Sequence, residues 1–142
     1  MVFDEDTRKV VIDSVVIDGP NGVAVAEWAD RFSGPAPKVY IEQYRPRQKF
    51  STDARMLAAE REIRQAFMRA KTLSNTGIQR VVTQEMMQML NVYTFRTVSH
   101  HQDLRSAARI ALLGMLKETS TNKLLADVIR DHLDGDSWTI HH

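Results

Sequence analysis

VAVAEWADRF, Val23 to Phe32, is the stretch on which the fold turns. Read with a period of two, Val23, Val25 and Glu27 share one face and Ala24, Ala26 and Trp28 the other, the mark of a half-buried strand. The same ten residues also satisfy a short helix pattern. The alternation, set between two breaks, predicts a strand. Asp18 to Gly22 (DGPNG) breaks the chain before it, and Ser33 to Pro37 (SGPAP) breaks it after.

Outward from there, Lys9 to Ile17 (KVVIDSVVI) is rich in β-branched residues and predicts a first strand. Lys38 to Tyr44 (KVYIEQY) predicts a third, with Val39 and Ile41 facing one way and Tyr40 and Glu42 the other. Three strands joined by short turns give a β-meander, whose apolar face needs a cover. Arg45 to Phe50 is a basic linker, and beyond it there is no proline and the period changes to that of a helix.

Ser51, Thr52 and Asp53 are good caps for a helix reaching about Leu73, with Met56, Ala59, Ile63, Ala66, Ala70 and Leu73 as its stripe. Asn75 and Gly77 stop it. A second helix is predicted over Ile78 to Leu90. A third runs over Asp103 to Lys117, capped by Ser99 with Gln102 and apolar nearly all round, hence central and buried. A fourth covers Asn122 to Leu133. The predicted fold class is therefore α+β: an N-terminal three-stranded antiparallel β-meander packed on a C-terminal bundle of three to four helices. It forms a single domain over 1–142, with a β-rich part at 1–44, a linker at 45–50 and a helical part at 51–142.

A formal net charge of +1 hides strong segregation. Residues 1–44 carry a local net of −4, residues 45–123 a net of +8 and residues 124–142 a net of −3. A basic middle between acidic ends points to docking onto something anionic, or to pairing among the protein's own parts. No apolar run approaches a membrane span, and the acidic start is unlike a signal peptide. Cysteine is missing, so disulfides, thiolate metal sites and cysteine nucleophiles are excluded together. The expectation is a cytoplasmic protein of bacterial or viral type.

Arg55, Arg61, Arg64, Arg69 and Lys71, with Arg45, Arg47 and Lys49 just before them, form a cation-rich stretch able to meet phosphates or an acidic protein surface. Glu60 and Glu62 interleave, as on an ordinary solvated helix face. The adjacent His100 and His101 point about 100° apart on a helix, a poor geometry for two metal ligands. Neither metal nor cofactor is expected. Met86, Met87 and Met89 crowd one short helix; Met87 lies off its apolar stripe and is the candidate for facing a partner. Trp138, in an acidic C-terminal stretch, is expected to dock on the protein's own helices or on a partner subunit.

Thr83 to His101 (TQEMMQMLNVYTFRTVSHH) resembles the helix-turn-helix unit of bacterial repressors, over about twenty residues. The resemblance implies that Arg96, Thr97, Ser99 and His100 touch bases or phosphates. The family's Gly-Val-Ser turn is here Asn91-Val92-Tyr93-Thr94. Read without the family, the same segment is two core helices joined by a loop. Arg31 to Glu42 resembles the phosphate-binding segment of phosphohexomutases, but Pro35 replaces the loop threonine and removes both its hydroxyl and its N–H. No nucleophile–base pattern or glycine-rich phosphate cradle is visible. The expected function is a non-enzymatic protein–protein interaction or assembly subunit, acting by self-association or on a protein partner. The alternative is a DNA-binding regulator using residues 83–101.

Overall fold

The computed structural model describes residues 2–4, 9–11, 14–31, 38–43, 50–95, 100–118, 123, 126, 127 and 130. Along them run β1 (Val2–Asp4), β2 (Lys9–Val11), α1 (Gly22–Asp30), β3 (Tyr40–Glu42), α2 (Phe50–Ala66), β4 (Lys71–Leu73), α3 (Ile78–Val81), α4 (Gln84–Met89) and α5 (His101–Lys117). The three-stranded antiparallel meander is not among them. The described residues are mostly helical, with one antiparallel pair, β1–β2, and one parallel pair, β3–β4. They divide into two compact units, Val15–Asn75 and Met1–Ser14 with Thr76–His142.

The decisive correction is α1. Val23 to Phe32 was expected to be a strand, and Gly22–Asp30 is a helix. A strand would place Val23 and Val25 on one face; instead Val23 is 71% exposed and Val25 only 6%. Asn21 supplies the start, its side-chain oxygen accepting from the Ala24 N–H at 3.1 Å. Gly19, at φ +153°, makes the preceding turn, and a Cβ there would meet the Asn21 nitrogen at 2.7 Å. The i, i+3 pair Val25 and Trp28 then turns toward α2, and Trp28 meets Phe67 edge-on with ring centroids 6.0 Å apart. That packing, a contact distant in sequence, selects helix over strand.

The helix expected to reach Leu73 stops at Ala66. Met68 and Arg69 form a turn, and Lys71–Leu73 pairs in parallel with Tyr40–Glu42, in the register Tyr40↔Lys71, Ile41↔Thr72 and Glu42↔Leu73. The Lys71 N–H donates to the Val39 carbonyl at 2.9 Å and the Gln43 N–H to the Leu73 carbonyl at 2.8 Å. Parallel strands need a crossover of a dozen or more residues, and α2 provides it, so β3–α2–β4 is a small βαβ unit. Arg64 ties the turn down: it binds Glu60 on its own helix, the Ala70 carbonyl and the Thr72 hydroxyl.

In the other unit, β1 pairs with β2 in the register Val2↔Val11, Phe3↔Val10 and Asp4↔Lys9. The strand expected over Lys9 to Ile17 thus ends at Val11 among the described residues, and Val15 and Val16 lie exposed in irregular chain. The helix expected over Ile78 to Leu90 is split into α3 and α4 around Val82 and Thr83, and the Thr83 hydroxyl accepts from the Met86 N–H at 3.2 Å to start α4. α3 packs on α5. α5 buries Leu104, Ala108, Ile110, Leu112, Leu113 and Gly114, most of them in its second half, while Gln102, Asp103, Ala107 and Lys117 are exposed. Residues 123, 126, 127 and 130 are helical, within the expected fourth helix.

Candidate functional site

The cation-rich stretch does not form one face. At about 100° per residue, Arg64 stands on roughly the opposite side of α2 from Arg55. Arg55 shares a side with Glu62, seven residues on, and Glu62 turns toward α1: its Oε1 would lie 3.6 Å from a Cβ on Gly22. Arg61 is exposed; Arg64 is exposed and held by Glu60 at 3.0 Å. Arg69 and Lys71 are exposed beyond the helix, in the turn and in β4. Arg45, Arg47 and Lys49 lie outside the described residues. Screened cations scattered in this way contact a broad anionic surface less well than a continuous stripe does.

Met87, which the sequence pattern places toward a partner, is instead fully buried. With α4 only six residues long, its inward side is set by Met87 and Leu90, a spacing of three, and Val92 joins them at 0% exposure. Asn91, between Leu90 and Val92, takes φ 59°, a left-handed conformation that asparagine tolerates. The chain can therefore reverse after α4 and keep the apolar residue on each side inside.

The following chain is anchored to α5. The Arg105 Nε–H donates to the Tyr93 carbonyl at 2.8 Å, and its guanidinium stacks 3.9 Å from the centroid of the Tyr93 ring. His100 is the residue before α5, at φ 61°, and its Nδ1 lies 3.1 Å from Asp103 Oδ2, both side chains being exposed. In the helix-turn-helix reading His100 belongs to the second helix; here that helix begins at His101. Arg96, Thr97 and Ser99, the rest of that set, lie outside the described residues, as does Trp138. On α5, His101 and Arg109 are half-buried, and His101 Nδ1 and Arg109 Nε are shielded with no hydrogen-bond partner. These two sit eight residues apart along one side of the helix, a feature the apolar pattern of the sequence concealed.

No cluster of His, Asp or Glu that could hold a metal ion occurs among the described residues, and none of their helices is long and apolar enough to cross a membrane.

No family model matches this chain, and no curated protein or solved structure matches it either.

Proposed function

We propose that the chain is a non-enzymatic interaction protein, an adaptor, inhibitor or assembly subunit that works by docking through its helical and charged surfaces. One observation carries this reading. Within Val15–Asn75, Val25 is the only large apolar side chain buried among the described residues, while Val15, Val16, Val23, Met56, Leu57 and Met68 are exposed. Isolated exposed apolar residues are ordinary; among the described residues of this unit six are exposed, one is buried, and Trp28, Ile63 and Phe67 are half-buried, which leaves apolar surface for a partner to cover. A partner that covers some of them gains about 25 cal/mol per Å² of apolar surface removed from water. Self-association is the simplest form, and sedimentation velocity of the full chain at low and high salt tests it. The reading expects species above the monomer, with a salt-dependent population. A strict monomer at both salts and at high protein concentration counts against it.

A second reading, duplex DNA binding by Thr83 to His101, is favoured by the turn at Asn91. Its left-handed backbone between buried Leu90 and Val92 lets the chain reverse after α4, as the turn of a helix-turn-helix does. Fluorescence anisotropy on duplex DNA at two salt concentrations separates the readings. DNA binding predicts a signal at low salt that fades steeply as salt rises, and a flat curve at low salt disposes of it.

A further inference from the structure

Asn21 precedes Gly22, and of the four asparagines in the chain it is the only one followed by glycine. That dipeptide is chemically labile, because glycine's unshielded backbone nitrogen can attack the asparagine side chain. We propose that Asn21–Gly22 is a deamidation site held closed by the cap of α1 and opened when the first turn of that helix frays. In the reaction, the Gly22 nitrogen loses its proton and bonds to Asn21 Cγ, and the side-chain nitrogen leaves as ammonia with that proton. Water then opens the five-membered imide at either carbonyl. Cleavage at Cγ gives aspartate, and cleavage at the backbone carbonyl gives isoaspartate.

Asn21 is exposed, so solvent reaches it, yet its geometry forbids ring closure. Closure needs Cβ and the Gly22 nitrogen on the same side of the Cα–C bond. The ψ of 85° at Asn21 places them nearly opposite. The side-chain oxygen is also held at 3.1 Å by the Ala24 N–H. The Glu62 carboxylate stands against Gly22 at the positive end of the α1 dipole, and it strengthens the closed state. Rotating ψ to a reactive value breaks the cap and the start of the helix together, so the reaction samples only the locally open population. The products differ in consequence. Aspartate caps a helix well, whereas isoaspartate adds a methylene to the main chain and cannot restore the cap.

Peptide mass spectrometry on the full chain, incubated in near-neutral buffer with and without denaturing urea, tests this. The unfolded chain should convert Asn21 ahead of Asn75, Asn91 and Asn122. The folded chain should convert it at least about tenfold more slowly, the ratio set by a local opening cost of about 1.4 kcal/mol. E62Q and V25A, which loosen α1, should each raise the folded-state rate while leaving the rate in urea unchanged. Equal rates in folded and unfolded chains overturn the gating. An Asn21 no faster than the other asparagines in urea overturns the site.

Discussion

Asn21 and Thr83 perform the same task at two helix starts: each side chain satisfies one N–H that the helix cannot. Asn21→Ala should cost about 1 kcal/mol of stability, and Thr83→Ala a similar amount, measured by urea denaturation. Asn21→Asp should be about neutral, because aspartate caps as well as asparagine and its gain from the α1 dipole is offset by the Glu62 carboxylate already standing against Gly22. Met87 is the residue whose role changed most between sequence and structure. It is fully buried, so Met87→Ala should destabilise by about 2–5 kcal/mol. A loss below about 0.5 kcal/mol would return it to the surface. Its position was legible only once α4 was known to be short, since a longer helix through Leu90 puts a different side inward.

The elements decide between strand and helix at Val23 to Phe32, and paired substitutions read that decision directly. In a strand, Val23 and Val25 share a face, so Val23→Asp and Val25→Asp behave alike. In α1, Val25 is buried and Val23 points away, so Val25→Asp should cost several kcal/mol and Val23→Asp about 0.5 kcal/mol or less. Urea melts of the two variants check this, and equal losses would restore the strand. Arg64 belongs to the same scale, linking the end of α2 to β4. Because the group is exposed, Arg64→Ala should weaken the unit by no more than about 1 kcal/mol. What the sequence made legible here was local. The β-branched run from Lys9 marked β2, the alternation in Lys38 to Tyr44 marked β3, and the apolar run marked α5. What it concealed was non-local: the parallel pairing of β3 with β4, 31 positions apart in its register, and the packing of α1 on α2. Neither leaves a periodic mark in a three-residue strand or a nine-residue helix.

For the whole molecule, the charge pattern weakens once the chain is divided by structure rather than by sequence. Residues 1–14 group with Thr76–His142, so acidic side chains from the start of the chain join the second unit. Val15–Asn75 then carries ten basic and seven acidic residues, and the other unit nine basic and eleven acidic. Net charges of +3 and −2 are modest beside the +8 of the basic middle, and Debye screening at physiological salt reduces them further. The candidate site was legible in the sequence as a set of cations but not as a surface, because helical geometry spreads Arg55 and Arg64 around α2. The weight of the docking proposal therefore rests on apolar exposure. The adjacent Met56 and Leu57 on α2 are its sharpest probe. Both are about half exposed, so replacing them with serine should disturb the fold little and association strongly. The most direct measurement is sedimentation velocity of the full chain beside its Met56→Ser, Leu57→Ser double variant at matched concentration, with circular dichroism to confirm equal helix content. The native chain should associate, and the double variant should shift toward the monomer by about tenfold or more in dissociation constant. Identical sedimentation of two equally folded chains would contradict it.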